Sequence, residues 1–287
     1  MRVEDKLFDE VPNRIGKSSL KWSKYKNSDI IPLWVADMDF RSPSPVIQLA
    51  REISDDGNFG YGICPPALSE TVINRLNDFY DWSVERNSII WMPGMVCGLN
   101  IACRSLADEA TQVITNTPVY PPFLSSPGNS GLPCTRIPMI VKEGRFTIDF
   151  DALYNLETSP NDLFMLCHPH NPVGTNFSRQ ELENLSEYII ERELFICSDE
   201  IHCDLILEES LSHIPFASLS DEIADRTITL MAPSKTFNLA GFGCSFAIIS
   251  NAGLRKRFKN AMRGIVPDPP AMGFRIAEVA YRECEEW

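Results

Sequence analysis

One lysine and one aspartate stand at positions where their side chains could do chemistry together. Lys235 lies in the run Ala232-Pro233-Ser234-Lys235-Thr236-Phe237-Asn238, in the turn that follows an apolar stretch over residues 227–231. An amine becomes a nucleophile only where its surroundings favour the uncharged form, so a lysine in such a turn is a candidate for covalent chemistry. Asp199 follows another apolar stretch, 36 positions earlier. The simpler interpretation is that Lys235 is a solvated loop lysine. The other motifs of the chain decide between this and a role in covalent chemistry.

Short apolar runs alternate with amphipathic segments and predict the elements that position these side chains. Strands are predicted at 88–91, 112–115, 162–167, 193–197, 227–231 and 245–249, and helices at 45–52, 94–106, 178–192 and 271–287. The helix from Ser178 opens with a capping box formed with Glu181, and Leu182, Leu185 and Ile189 share one of its faces. This alternation predicts an α/β fold, with a mostly parallel sheet covered by helices on both faces.

Polar residues follow four of these strands, and ligands in such sheets collect at the loops that leave the carboxyl ends of the strands. The four loops carry Tyr120, Asn171, Asp199 with His202, and Lys235. An acidic residue one loop before the lysine is what a pyridoxal phosphate site requires. Its carboxylate would keep the pyridine nitrogen protonated, so that the ring can accept the electron pair released at the substrate Cα.

Composition limits the class of protein. The 287 residues are 44% hydrophobic, enough for one large domain or one domain plus a fragment. With 26 Lys+Arg against 39 Asp+Glu, the net charge is −13, and a nucleic-acid partner is not expected. The nine cysteines include no C-x-x-C pair, the N-terminus lacks the apolar core of a signal peptide, and no apolar run is long enough to span a membrane. These features predict a cytoplasmic protein with reduced thiols and no membrane partner.

Five motifs together resemble a known family. Asn171-Pro172-x-Gly174, Asp199-Glu200-Ile201-His202 and the run around Lys235 resemble the fold-type-I pyridoxal-phosphate enzymes of the aspartate aminotransferase superfamily. The segments Val35-Ala36-Asp37-Met38-Asp39-Phe40 and Phe59-Gly60-Tyr61-Gly62 are similar to its cystathionine β-lyase, or carbon–sulfur lyase, branch. The resemblance covers the whole chain. It implies an N-terminal arm over 1–45, a cofactor-binding large domain over 46–270, and over 271–287 the start of a C-terminal small domain that is largely missing.

The resemblance also implies a role for each loop residue. Lys235 would bond covalently to the cofactor and, once displaced by substrate, act as the base at Cα. Asp199 would pair with the pyridinium nitrogen, and Tyr120 would stack on the ring. Asn171 would donate a hydrogen bond to the phenolic oxygen of the cofactor, and His202 could assist it.

The phosphate group of the cofactor would lie at a helix N-terminus. Free N–H groups of Met95, Val96 and Cys97 would bind it, with Ser234 as a further ligand. Tyr61 would reach the phosphate bound by a neighbouring subunit, which implies a homodimer.

Two features depart from the family pattern. Ala232 and Gly243 occupy positions where aminotransferase relatives place a phosphate-binding serine and arginine. The arginine that binds the substrate carboxylate in the family would lie beyond Trp287.

Carbon–sulfur β-elimination is the reaction that the resemblance favours, with cystathionine or cysteine as substrate and pyruvate and ammonia as products. An aminotransferase on the same scaffold is the first alternative, since only the branch-specific motifs separate the two. An inactive homologue with a regulatory or scaffold role is the second.

Single residues also have plainer interpretations. Asp199 and Glu200 could cap a helix, Tyr120 could be a surface aromatic, and Tyr61 could pack on its own domain. A metal site is conceivable but disfavoured, because the prolines at 169 and 172 predict an extended loop. It would use the cluster Cys167, His168, His170, His202 and Cys203.

Overall fold

The computed structural model describes residues 8–287, and a seven-stranded sheet forms its centre. Within these residues the strands are β1 Ile89–Met92, β2 Val113–Thr117, β3 Cys134–Pro138, β4 Ile140–Lys142, β5 Arg145–Thr147, β6 Leu163–Cys167, β7 Phe195–Asp199, β8 Thr227–Met231 and β9 Ser245–Ile248. The large sheet has the order β1-β9-β8-β7-β6-β2-β3, while β4 and β5 form a separate antiparallel hairpin.

The strand directions place most carboxyl ends at one edge of the sheet. Strands β3, β2, β6, β7 and β8 are parallel, whereas β9 is antiparallel to both of its neighbours, β8 and β1. Because β1 and β8 both oppose β9, they run in the same direction as each other. The predicted mostly parallel α/β sheet is confirmed.

Helices cover both faces of the sheet. They are α1 Leu20–Ser23, α2 Ser44–Asp56, α3 Pro66–Tyr80, α4 Met95–Leu106, α5 Pro122–Asn129, α6 Phe150–Tyr154, α7 Arg179–Glu191, α8 Asp221–Ala224, α9 Pro233–Thr236, α10 Ala252–Met262 and α11 Ala271–Glu283. On one face, α4 and α10 pack on apolar residues of the central strands, Leu230 among them. On the other face α7 does so, and α3 and α11 cover β9. Burial of these faces is the main stabilising term of such a fold.

The predicted elements are present, with shifted ends. The capping box at Ser178 is confirmed, because its hydroxyl accepts from the N–H of Glu181 and the Glu181 carboxylate accepts from the N–H of Ser178. Helix α2 extends beyond the predicted end at residue 52, until Gly57 adopts the left-handed conformation (φ 65°). The predicted last helix ends at Glu283, before Trp287.

The proposed boundaries of arm, large domain and small domain remain predictions. Residues 1–7 of the arm lie outside the described residues. Across residues 8–287, none of the helices combines the length and the apolar character needed to cross a membrane.

Candidate active site

Lys235 and Asp199 lie at the same edge of the sheet. Strands β7 and β8 are parallel neighbours, and Asp199, the last residue of β7, is paired with Leu230 of β8. Lys235 lies in the one-turn helix α9, which begins two residues after β8 ends. Each charge affects the other: the ammonium of Lys235 lowers the pKa of Asp199, and the carboxylate of Asp199 raises the pKa of Lys235. The fold therefore brings an amine and a carboxylate into one site.

The Asp199 carboxyl is buried, with 4% of the residue exposed. Burial raises its pKa to about 7, and the negative charge of Glu200 acts in the same direction. The N–H of Ile201, which donates to Oδ1 at 3.2 Å, and the charge of Lys235 only partly offset this effect. A buried carboxyl of this kind is primed to bind a cation, because pairing with positive charge would restore its ionised form.

The Lys235 amine is half-buried and donates a hydrogen bond to the carbonyl oxygen of Ala36, with an Nζ to O distance of 2.7 Å. Burial lowers its pKa, although the carboxylates of Asp37 and Asp199 act in the opposite direction. More of the amine is therefore uncharged near neutrality than in an exposed lysine, as a nucleophile requires.

Tyr120, Asn171 and His202 follow β2, β6 and β7, and their loops leave the same edge of the sheet as Lys235. The N–H of Tyr120 donates to the carbonyl oxygen of Asn171 at 3.1 Å, which ties the loops after β2 and β6 together. Burial raises the pKa of Tyr120, and the charge of Asp199 adds to the effect. Burial lowers the pKa of His202, and the charge of Lys235 lowers it further. The charge of Asp199 thus affects the Tyr120 side chain, and the charge of Lys235 affects the His202 side chain.

The uncapped N-terminus of a helix lies at the same edge. Because β1 runs parallel to β8, helix α4, which follows β1, begins at the edge that carries Lys235. Gly94 provides no side-chain cap, and the first amide to bond back is that of Gly98, to the carbonyl oxygen of Gly94 at 3.3 Å. The N–H groups of residues 95–97 therefore have no acceptor within their own helix.

Gly243, one of the two residues that depart from the family pattern, lies close to the start of α4. Gly243 has φ +60°, and a Cβ there would stand 3.2 Å from the carbonyl oxygen of Pro93. Ala232 is buried at the start of α9. Ser234 is half-buried in the same helical turn as Lys235. Its proposed contact with a phosphate stays a prediction.

Tyr61 lies in an exposed loop. Its side chain is fully exposed (111%), and Phe59 and Ile63 on either side are 73% and 86% exposed. The alternative in which Tyr61 packs on its own domain is therefore wrong. A role in a neighbouring subunit stays a prediction.

Two of the histidines that suggested a metal site, His168 and His170, are bonded to other groups. Nε2 of His168 contacts the carbonyl oxygen of Ile214 at 3.1 Å, and Nε2 of His170 contacts that of Pro118 at 2.9 Å. Within residues 8–287, no three His, Cys, Asp or Glu side chains are grouped as metal ligands. The helix-capping alternative for Asp199 is also wrong, since its carboxylate accepts from Ile201 in a turn where no helix begins.

Asn238 joins two of the motifs, a contact that sequence reasoning did not find. Its Oδ1 accepts from the N–H of Met38 at 3.0 Å, and its Nδ2 donates to the carbonyl oxygens of Met38 and Phe40, both at 3.2 Å. The arm segment 35–40 is thus held against the lysine loop. The sequence signal for this contact was that the arm segment 35–40 and the run around Lys235 occur in the same chain.

Comparisons with known proteins agree with this geometry. The family model for aminotransferase class I and II matches residues 28–282. Cystathionine β-lyase PatB from Bacillus subtilis (strain 168) is 37% identical over 290 residues, which cover 98% of this chain and 74% of that protein.

Two crystal structures are similar to the fold. The structure of OvoB has a TM-score of 0.93 at 41% identity and covers 97% of this chain and 73% of its own. The structure of cystalysin from Treponema denticola, which contains pyridoxal 5'-phosphate, has a TM-score of 0.90 at 32% identity. The match covers 97% of this chain and 72% of the cystalysin chain. The resemblance to the fold-type-I enzymes and their cystathionine β-lyase branch is confirmed, and the chain belongs to the aminotransferase class I and II family.

Proposed function

We propose that this protein is a pyridoxal-phosphate-dependent carbon–sulfur β-lyase that acts on cystathionine or a cysteine-like amino acid. The observation that carries the proposal is the placement of Lys235 and Asp199 at the carboxyl ends of neighbouring parallel strands, where each shifts the pKa of the other. The relatives named cystathionine β-lyase support the choice of reaction.

The donor groups fit the three polar parts of this cofactor. The buried Asp199 carboxyl suits a pyridinium nitrogen, because that cation would replace the water the carboxylate has lost. The free N–H groups at the start of α4 suit a phosphate. The amine of Lys235, with its lowered pKa, suits an aldehyde. Asn171 and His202 are the proposed partners of the phenolic oxygen, and Tyr120 that of the ring face.

Lys235 is assigned two tasks in the reaction. Its amine would first hold the cofactor through the aldehyde carbon, and after displacement by the substrate amine it would remove the proton from Cα. When bound, pyridoxal phosphate supplies an electron-accepting ring that stabilises the negative charge left at Cα. The electron pair of the broken Cβ–S bond would leave with sulfur as a thiolate, and hydrolysis of the remaining carbon skeleton would give pyruvate and ammonia.

A homodimer is part of this proposal. Phe59, Tyr61 and Ile63 form an exposed apolar segment, and a surface of this kind is often an interface. In the family arrangement Tyr61 would complete the phosphate site of the neighbouring subunit.

Assays of product and cofactor test the proposal. The purified protein should show a visible absorption band after incubation with pyridoxal phosphate, and it should form pyruvate from cystathionine without an added 2-oxo acid. Turnover that depends on a 2-oxo acid would identify an aminotransferase instead. Absence of both band and turnover would identify an inactive homologue.

A further inference from the structure

Lys235 lies in a helix too short to fix its own position. Helix α9 is a single turn over Pro233–Thr236, Ala232 gives it no side-chain cap, and Pro233 has no N–H to donate. One turn forms too few hydrogen bonds to offset the entropy lost in ordering it. The amine bonds directly to the carbonyl oxygen of Ala36. The backbone turn that carries it must be held by contacts from outside the helix, including those made by the neighbours of Lys235.

Thr236 makes one of these contacts. Its hydroxyl donates to Oδ2 of Asp204 at 2.7 Å. Asp204 comes five residues after Asp199, and backbone hydrogen bonds from Cys203 to Glu200 and from Leu205 to His202 hold the segment between them in tight turns. The Thr236–Asp204 hydrogen bond thus links the helical turn that carries Lys235 to the turns that follow Asp199.

Asp204 is itself held by helix α3. Its Oδ1 accepts from Nη2 of Arg75 at 2.9 Å and from the hydroxyl of Tyr80. Only 8% of its side chain is exposed. Burial raises its pKa, but the charge of Arg75 and the donors Tyr80 and Thr236 outweigh burial, and the pKa is lowered overall. Asp204 therefore stays ionised near neutrality, and a hydrogen bond to an ionised acceptor is stronger than a neutral one.

We propose that Asp204 is a positioning residue that acts on Lys235 through Thr236. It sets the separation between the Lys235 amine and the Asp199 carboxylate, across which the cofactor ring would be held. The inference rests on the cofactor role proposed above. It assigns a task to Arg75 and Tyr80 as well, since they fix the carboxylate that receives the Thr236 hydroxyl.

A variant at Thr236 tests this without disturbing charge. Thr236→Val removes the hydroxyl and keeps the side-chain shape, and Thr236→Ser restores the hydroxyl. Asp204→Asn and the double variant complete a cycle. Asp162→Asn is the matched control, because Asp162 is also a buried carboxylate with several donors, including Thr111 and Ser159, but it stands at the start of β6, at the other end of the sheet.

The first readout is the pKa of the Lys235 amine in protein freed of cofactor. Acetylation by acetic anhydride, measured against pH by peptide mass spectrometry, reports it. The charged and titratable groups near the amine, Asp37, Asp199 and His202, are unchanged in Thr236→Val. The second readout is the dissociation constant of pyridoxal phosphate.

We expect Thr236→Val and Asp204→Asn each to move the Lys235 pKa upward, toward that of an exposed lysine, by about half a unit or more. Cofactor affinity should fall about tenfold in each. The double variant should resemble the single variants, Thr236→Ser should resemble the wild type, and Asp162→Asn should lose thermal stability without changing the amine.

An acetylation curve of Thr236→Val that matches the wild type would overturn the inference. Additive effects in the double variant, or the same shift in Asp162→Asn, would do so too. A wild type that binds no pyridoxal phosphate would instead refute the proposed function. The comparison of Thr236→Val with Thr236→Ser would still decide whether this hydroxyl holds the amine.

Discussion

In the absence of a bound cation, the fold disfavours the charged form of the Asp199 carboxyl overall. Its pKa is about 7 in the folded chain, chiefly because it is buried, against an ordinary value of 3.8. The folded state therefore holds a proton that the unfolded state has lost between these two pH values. Stability falls as pH rises through this window, which is the expected cost of a site built for a positively charged ring.

Replacing this carboxyl should stabilise the cofactor-free protein. We expect Asp199→Asn to raise the free energy of unfolding at pH 8 by something on the order of 2–4 kcal/mol, since each pKa unit corresponds to about 1.4 kcal/mol. The difference from the wild type should shrink between pH 7 and pH 4. Urea unfolding at several pH values measures it, and a destabilised variant at pH 8 would contradict the interpretation.

Asp162→Asn should have the opposite effect on stability, because the pKa of Asp162 is lowered and not raised in the folded chain. Burial raises the pKa of Asp162, but donors from Ser159 and Thr111 outweigh it, and the pKa is lowered overall. A group with a depressed pKa adds stability that is present at neutral pH and lost on acidification. The asparagine variant should therefore unfold more easily than the wild type at pH 7.

Cofactor binding should depend on the same proton. If Asp199 pairs with the pyridinium nitrogen, binding favours the ionised carboxylate, and a carboxyl with a pKa of about 7 must lose a proton first in more acidic solution. The affinity for pyridoxal phosphate should fall by up to about tenfold per pH unit below pH 7. Fluorescence titration measures this. If the affinity of Asp199→Asn for pyridoxal phosphate fell equally steeply with pH, the proton released on binding would belong to another group.

At the scale of elements, helix α4 must approach the sheet closely for its N-terminus to reach the site. A Cβ at Gly98 would stand 2.9 Å from both Leu230 and the sulfur of Met92, which is closer than van der Waals contact allows. Because Gly98 has no side chain, α4 can lie this close to the sheet. Its distance from the sheet in turn determines where the proposed phosphate-binding N–H groups lie.

Gly98→Ala should displace this helix. We expect a loss of about 1–3 kcal/mol in stability from overpacking, together with weaker binding of pyridoxal phosphate. Gly128→Ala in helix α5 is the control, because a Cβ there meets nothing within 4 Å and alanine favours the helix. Equal cofactor affinity in the two variants would show that α4 does not determine phosphate binding.

The sequence predicts elements whose signals are local. The capping box at Ser178 and the buried strand β8 are each determined by residues close together in the sequence, and both predictions are confirmed. Strand β3 was not predicted, and neither was the β4–β5 hairpin. These strands are short and largely exposed or half-buried, and they show no clear alternation of apolar and polar residues. Strand β3 is specified by its pairing with β2.

The candidate site was predictable from the sequence only in part. Lys235, Asp199 and their partners follow strands, and the resemblance gave them roles. The contacts that hold Lys235 join residues far apart in the chain: Asn238 bonds Met38 across 200 positions, and Thr236 bonds Asp204 across 32. No local pattern records such contacts, and only the folded backbone brings these residues together.

At the scale of the whole molecule, the proposed dimer can be tested by mixing two defective subunits. Lys235→Ala removes the proposed covalent residue, and Tyr61→Ala removes the residue proposed to act in the neighbouring site. In a hybrid dimer, one of the two sites would hold both an intact Lys235 and an intact partner tyrosine. Random exchange of subunits should restore about a quarter of the wild-type activity, since half of the dimers are hybrids with one good site each.

Pyruvate formation after unfolding and refolding the mixed variants measures this recovery. Each variant refolded alone is the control. Activity no greater than the sum of the two controls would mean that Tyr61 serves its own subunit or none.

The covalent assignment of the lysine is the central claim, and trapping with borohydride tests it most directly. The protein is incubated with pyridoxal phosphate, reduced, digested and analysed by peptide mass spectrometry. We predict one modified peptide, with the cofactor on Lys235 and the other lysines unmodified. A modification distributed over several surface lysines, or absent from Lys235, would contradict the claim.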